Sequence, residues 1–253
     1  MGRTVCAAVT EDPELELVAA INPGRGGEAL GPLIGRSDVD LGVHEDPIEL
    51  VRAGAAVAVD FTQPDAVMGN VRWGIEHRLH LVVGTTGLTP ADLDEVAELL
   101  EAGGRRSNVI VAPNFALGAV LVQRFAEQAA RFFPAGEVIE LHHDGKADAP
   151  SGTALATARR MATAREREWT GPTAESVTGV RGGDVEGIRV HSVRLPGLVA
   201  HQEVIFGGTG QTLTLRHDST DRSSFMPGVM LAVKAVAWRP GLTVGLEPLL
   251  GLS

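Results

Sequence analysis

The stretch His80-Leu-Val-Val-Gly-Thr-Thr-Gly-Leu-Thr-Pro90 decides the fold. A four-residue apolar run gives way to a Gly-Thr-Thr-Gly loop. Thr89 and Pro90 then open a helical pattern over residues 90–102, with Thr89 suited to the N-cap and Pro90 to the first helical position. Strand, glycine loop and helix in succession are the unit of a parallel sheet flanked by helices. The unit recurs on both sides. Residues 15–21, 56–61 and 109–112 read as further strands, and residues 64–77 as a helix. The runs 56–61, 80–83 and 109–112 lead into Thr62-Gln63, Gly84-Thr-Thr-Gly87 and Pro113-Asn114. Ligands of open parallel sheets bind beyond the carboxyl ends of strands, so these loops are predicted to form one rim.

The pattern then changes. Residues 115–133 read as a helix whose turns are marked by Leu117, Leu121, Phe125, Gln128 and Phe132, apolar except at Gln128. Residues 138–143, 188–195, 199–206 and 211–217 are strand-like. Pro196-Gly197 and Gly207-Gly-Thr-Gly210 are short enough to join antiparallel neighbours, which predicts a largely open α+β sheet. Residues 225–238 read as a closing amphipathic helix.

With 253 residues, 44% of them hydrophobic, the chain has material for an ordinary core in one or two domains. The net charge of -10 comes without a basic block, which excludes nucleic acid and anionic membrane as predicted partners. The single Cys6 excludes a disulfide framework. No apolar run approaches the roughly 20 residues that span a bilayer, and Met1-Gly2-Arg3 opens no signal-peptide core. A soluble, acidic, cytoplasmic protein is predicted. The absence of tyrosine removes phenols from the possible proton donors.

The chemistry concentrates in Glu140-Leu-His-His-Asp-Gly-Lys-Ala-Asp-Ala-Pro-Ser-Gly-Thr153. Neighbouring residues of a strand point to opposite faces, so His142 and His143 are predicted to do different jobs. Besides Lys234, Lys146 is the only lysine, and a lysine can be tuned for proton transfer where an arginine cannot. Ser151, Gly152 and Thr153 precede a helical run over 154–167, and a helix N-terminus favours a carboxylate or phosphate. Plainer roles use the same residues: a solvated histidine pair and an ordinary serine cap. A metal site is disfavoured, because adjacent strand residues do not converge on one ion and one cysteine offers no thiolate set. Together the proton donors, cation and anion cradle describe a site for an anionic substrate that is protonated during reaction.

This string closely resembles the signature of the 4-hydroxy-tetrahydrodipicolinate reductase family, also called dihydrodipicolinate reductase. Val59-Asp-Phe-Thr62, Gly84-Thr-Thr-Gly87, Ala112-Pro-Asn-Phe115 and the tail from Arg216-His-Asp-Ser219 to Leu250 resemble it in the same order. The resemblance covers nearly the whole chain and is strongest to the actinobacterial branch. It implies an α/β protein with a Rossmann-type dinucleotide-binding domain, residues 1–114 with 218–253, to which the closing helix returns. Residues 115–217 would form an α+β domain with an open mixed sheet, binding substrate and assembling a homotetramer. The implied activity is NAD(P)H-dependent reduction of a cyclic dicarboxylate imine in lysine and diaminopimelate biosynthesis.

By the same resemblance His142 is the proton donor and acceptor and Lys146 a second proton donor. His143, Ser151, Gly152 and Thr153 contact substrate, and Asp148 either orients Lys146 or simply forms a turn. Gly84, Thr85, Thr86, Ala112, Pro113, Asn114 and Phe115 match cofactor contacts, and Asn114 can satisfy an amide on both its donor and acceptor sides. A reductase of another cyclic imine and a catalytically silent ligand-binding relative are the rival readings. Retention of His142, His143, Lys146 and Ser151-Gly-Thr153 argues against silence.

Two departures from the family pattern stand out. A dinucleotide fold opens on a strand and a Gly-rich turn. Here Met1-Gly2-Arg3-Thr4-Val5 resembles the end of that turn and the start of the first helix. The expectation is that the strand and most of the loop, roughly ten residues, lie upstream of Met1. The alternative is a shortened fold without this central strand, which would expose two edges. The second departure is Asn22, standing where an acidic residue usually accepts bonds from the adenine ribose. Asparagine does not repel a 2′-phosphate, and Arg25 either pairs with one or is a solvated loop residue. NADPH is therefore expected to serve at least as well as NADH.

Overall fold

The structure, a computed structural model of the chain, describes all residues except 170, 172, 173 and 253. It divides into two compact units, Met1–Phe115 with Phe225–Ser253, and Ala116–Ser224.

The first unit begins with α1 (Gly2–Glu11), β1 (Ala20–Ile21), α2 (Leu30–Ile34), β2 (Val43–His44) and α3 (Ile48–Arg52). It continues through β3 (Val57–Asp60), α4 (Val67–Glu76), β4 (His80–Val83), α5 (Pro90–Ala102) and β5 (Val109–Val111). Strands β3, β4 and β5 pair in parallel. Val82, Val83, Val109 and Ile110 are wholly buried, as continuous apolar runs in a sheet covered on both faces should be. α5 has the predicted bounds because its start is fixed locally. The Thr89 hydroxyl accepts from the Asp92 N–H (3.2 Å), and the Asp92 carboxylate accepts from the Thr89 N–H (2.7 Å).

Two predictions for this unit shrink. The strand expected over 15–21 is reduced to β1, because among the described residues only Ala20 and Ile21 find ladder partners, Val43 and His44. Among the described residues β1 pairs only with β2, and β3 is an edge of its sheet. The helix expected from residue 64 starts at Val67, since the Gln63 carbonyl closes a turn on the Ala66 and Val67 N–H groups (3.0 and 3.1 Å).

The second unit holds α6 (Leu117–Ala129), β6 (Ala135–His142), α7 (Gly152–Ala164), β7 (Gly183–Val185), β8 (Ile188–Arg194), β9 (Ala200–Gly208) and β10 (Gln211–Ser219). Its strand order is β10-β9-β6-β8-β7, with β6 and β8 parallel and the other pairs antiparallel. Thr209-Gly210 makes the expected β9–β10 hairpin, with Gly210 at φ +71°. Pro196-Gly197, in contrast, does not join neighbours. β6 lies between β8 and β9, because it takes β9 over eight positions from Ala135↔Gly207 to His142↔Ala200. β10 runs on to Ser219, so the expected return at residue 218 falls inside a strand.

α6 and α7 cover one face of this sheet over a core that includes Val122, Ala126, Val138, Ala158, Met161, Val204 and Phe206. The face of α6 differs from the predicted stripe. Ala119, Val122, Gln123 and Ala126 point inward, while Phe125 is 43% and Phe132 81% exposed. At its start the helix lies directly against β10, where a Cβ on Gly118 would be 2.2 Å from the His217 ring. The opposite face of the sheet carries partly buried Ile139, Leu141, Val193 and Ile205.

The chain then re-enters the first unit. α8 (Met226–Val236) and β11 (Leu242–Val244) follow, and β11 extends the parallel sheet beside β5. Among the described residues no helix is long and apolar enough to cross a membrane.

Candidate active site

In the second unit the parallel strands β6 and β8 end together, with His142 and Arg194 as register partners. Glu140 shares the His142 face by the two-residue alternation of a strand and is wholly buried. It accepts a short hydrogen bond from His142 Nδ1. A carboxylate only accepts, so Nδ1 carries the proton and Nε2 is the ring nitrogen left for a reacting atom. Arg194 forks onto the same carboxylate, Nη2 to Oε1 at 2.8 Å and Nη1 to Oε2 at 3.0 Å. Its Nη2 also donates to the Asp148 carbonyl at 2.7 Å. Lys146 Nζ donates to the Asp148 carboxylate at 2.6 Å, which is the orienting contact anticipated for Asp148.

Burial pushes the Glu140 carboxyl up, but hydrogen bonds from Arg194, Ser192 and His142 outweigh it and hold the group below its ordinary value. Burial also pushes the His142 imidazole down. Glu140 opposes that shift, Lys146 and Arg194 add to it, and the net direction is down. His142 is thus neutral over a wider pH range than a free imidazole.

His143 lies beyond the end of β6 in an exposed turn, where its carbonyl accepts from the Lys146 N–H (3.2 Å). The two histidines do differ in surroundings, but because one ends the strand and the other starts a turn, not because they alternate along a strand. Ser151 is the N-cap of α7; its 3% exposed side chain accepts from the Ala154 N–H at 3.2 Å. Its hydroxyl serves the helix, so the exposed Gly152 and part-buried Thr153 are what the N-terminus offers to an anion. Gln123 and Thr157 anchor this turn by donating to the Thr153 carbonyl at 3.1 and 2.9 Å.

In the first unit the expected rim forms at the ends of β3, β4 and β5. Asp60 organises it. One carboxylate oxygen accepts from Thr62 N–H (3.0 Å), Thr62 hydroxyl (2.9 Å) and Thr85 hydroxyl (2.6 Å), and the other from Asn70 (2.7 Å). Gly84 cannot carry a side chain, since a Cβ would lie 2.1 Å from the Phe61 ring. That ring packs on Phe115 with centroids 5.6 Å apart, so Phe115, only 2% exposed, supports the rim from beneath. Ala112 is buried, Asn114 part-buried, and Thr86 and Pro113 exposed. Asn22 follows β1, and its side-chain oxygen accepts from the Gly24 N–H (2.9 Å), leaving its amide N–H groups to face outward chemistry. Arg25 pairs with Glu28 at 3.1 Å, with both side chains about half exposed (48% and 45%).

Sequence reasoning assigned no role to Asp60, Glu140 or Arg194. Glu140 had a readable signal, a carboxylate two residues before His142 within the apolar run Val138-Ile139-Glu140-Leu141. Arg194 had none, because its place beside His142 depends on a parallel register between strands some fifty residues apart.

Residues 1–115 match the family Dihydrodipicolinate reductase, N-terminus, and residues 118–250 match Dihydrodipicolinate reductase, C-terminus. The 4-hydroxy-tetrahydrodipicolinate reductase of Nocardia farcinica is 53% identical over 257 residues, covering 100% of this chain and 95% of the relative. The protein of the same name from Mycolicibacterium vanbaalenii is 55% identical, covering 90% of this chain and 93% of the relative. Among solved structures, a dipicolinate-bound dihydrodipicolinate reductase from a Paenisporosarcina species is similar, with a TM-score of 0.83 and 40% identity over 98% of this chain and 94% of that one. An amine dehydrogenase from Mycobacterium smegmatis, 13% identical over 95% of this chain and 91% of that one, with a TM-score of 0.60, shares the fold. The Rossmann-type parallel sheet, the mixed second sheet, the paired family matches and identities above one half all agree: the chain belongs to the dihydrodipicolinate reductase family.

Proposed function

We propose that the chain reduces 4-hydroxy-tetrahydrodipicolinate to tetrahydrodipicolinate in lysine and diaminopimelate biosynthesis, in the cytoplasm. The observation that carries this reading is the His142, Glu140, Arg194, Asp148 and Lys146 cluster beside the α7 N-terminus. It joins proton donors to an anion cradle, as a cyclic dicarboxylate imine requires.

The rim of the first unit fits a dinucleotide. Its glycine loop is braced by Asp60 and Phe61, and the Asn22 amide presents donors suited to phosphate or ribose oxygens. NADPH or NADH, when bound, supplies the hydride. One hydride and one proton enter the substrate, and its hydroxyl departs as water. Lys146 protonates the departing hydroxyl and adds positive charge toward the carboxylates, while His142, neutral with Nε2 available, takes up the proton released from the ring and returns one to it as the hydride is added. The Gly152 and Thr153 N–H groups hold one carboxylate, and His143 lines the edge.

Assembly as a homotetramer is part of the same reading. It is supported by the sheet face opposite α6 and α7, where Ile139, Leu141, Val193 and Ile205 remain partly exposed. Light scattering should then give four times the 26.5 kDa chain mass. For the activity, oxidation of NADPH and NADH is followed with enzymatically generated 4-hydroxy-tetrahydrodipicolinate. Turnover with at least one cofactor is expected. Absence of turnover with both, alongside rapid turnover of an uncharged cyclic imine, overturns the substrate assignment.

A further inference from the structure

We infer that Glu140 and Arg194 are positioning residues, a buried carboxylate and a partly buried guanidinium that fix the tautomer of His142 with one end and the place of Lys146 with the other. The inference rests on reading His142 and Lys146 as the proton-handling groups. Stability alone gives a poor account of the pair, because desolvating a carboxylate and a guanidinium costs so much that apolar residues of similar volume often serve equally well. Geometry gives a better one. Glu140 Oε2 is shared by His142 Nδ1 and Arg194 Nη1, and Oε1 is held by Arg194 Nη2 at 2.8 Å, so the carboxylate cannot swing away from the imidazole. The same Nη2 reaches the Asp148 carbonyl at 2.7 Å, and the Asp148 side chain takes Lys146 Nζ at 2.6 Å. One planar guanidinium therefore ties the end of β8 to both candidate groups, a geometry lysine cannot reproduce.

The charges around His142 bear this out. Glu140 faces it from β6, Arg194 from β8, and Lys146 from the following loop. Burial, Lys146 and Arg194 together outweigh the pull of Glu140 toward the charged ring. The imidazole is thus held in one orientation without being locked into the charged state, as a group that must take up and release a proton requires.

The test is histidine-selective ¹⁵N NMR on the full chain, with steady-state kinetics beside it. Wild type should show neutral His142 as the Nδ1–H tautomer. In Glu140→Gln the single tautomer should be lost, and the His142 midpoint should fall by about one pH unit as the favourable negative charge disappears. Turnover should drop about 100-fold or more while the KM for NADPH stays within about twofold. Arg194→Lys should leave the tautomer in place but weaken pyridine-2,6-dicarboxylate binding about tenfold by loosening the Lys146 loop. Should Glu140→Gln fail to fold, the paired Glu140→Met, Arg194→Met variant removes both charges at similar volume and should also lose the tautomer. An unchanged tautomer and midpoint in either carboxylate variant overturns the inference. The NMR readout needs no substrate, so a wild-type chain inactive on the imine would sink the proposed function and leave the positioning question separately answered.

Discussion

At the scale of the residue, the candidate site separates groups that react from groups that hold. His142 and Lys146 sit at the two ends of the Arg194 fork, and neither belongs to the rim of the first unit. His142→Ala or Lys146→Ala should lower kcat by about two to four orders of magnitude, the usual contribution of a positioned acid or base, with cofactor affinity nearly unchanged. Fluorescence titration of NADPH against each variant checks the second half. Affinity falling in step with turnover would refute the roles. Asn22 carries a second test. Its oxygen is engaged by the Gly24 N–H, so it presents donors where an aspartate would present an acceptor and a charge. Asn22→Asp should shift the ratio of kcat/KM values toward NADH, since a carboxylate repels a 2′-phosphate and accepts from a free 2′-hydroxyl. The effect should be about 1–2 kcal/mol in an exposed, screened loop. If the ratio is unmoved, Asn22 is not at the ribose. All three assignments were made from motif and position. Gly84 was read only as part of a cofactor loop; the reason it must be glycine, the Phe61 ring that follows β3, could not be read from the loop.

At the scale of the element, what is local was readable and what depends on pairing was not. α5 was read to the residue because Thr89, Pro90 and Asp92 fix its start through contacts within four positions of chain. β2 and β11 went unread: runs of two and three residues become strands only when a partner supplies the ladder. The misplaced β8–β9 neighbour relation and the rotated face of α6 have the same origin. β6 inserts between the first pair, and the sheet packed beneath α6 chooses Val122 and Ala126 for the core, both through contacts distant in sequence. The capping box gives this distinction a measurement. Thr89→Ala removes the acceptor for the Asp92 N–H and should destabilise the first unit by about 1 kcal/mol. Asp92 also loses the hydroxyl that, as its largest influence, holds its carboxyl below the ordinary value. A denaturant midpoint unchanged from wild type would show that tertiary packing, not the cap, fixes this helix.

At the scale of the whole molecule, the second unit places ionisable groups under its helices, where the first unit keeps a largely apolar interior. That difference predicts how the chain responds to acid. His142 and His217 are both held below the ordinary 6.5, in each case chiefly by burial. As pH falls below 6.5 the unfolded chain takes up these protons before the folded one, so stability declines until the folded values are reached. Glu140 acts lower on the scale. Burial raises its pKa but Arg194, Ser192 and His142 outweigh that and depress it below 4.5. Its contribution is therefore fully present above 4.5 and is lost as pH falls through the folded value. Asp148 and Asp218 shift in the same direction but are 59% and 41% exposed, and solvent screening makes their share small. Trp169, which packs edge-on against Phe206 with centroids 6.2 Å apart, reports on this unit, once Trp73 and Trp238 of the first unit are replaced by phenylalanine. The urea midpoint read by Trp169 should fall in two stages, first on going from pH 7 to 5 and again below 4.5. Glu140→Gln should remove most of the second stage while leaving the first, since the histidines still bury. A midpoint flat from pH 7 to 4, or a lower stage of undiminished size in Glu140→Gln, would mean that the buried carboxylate is not what couples this unit to acid.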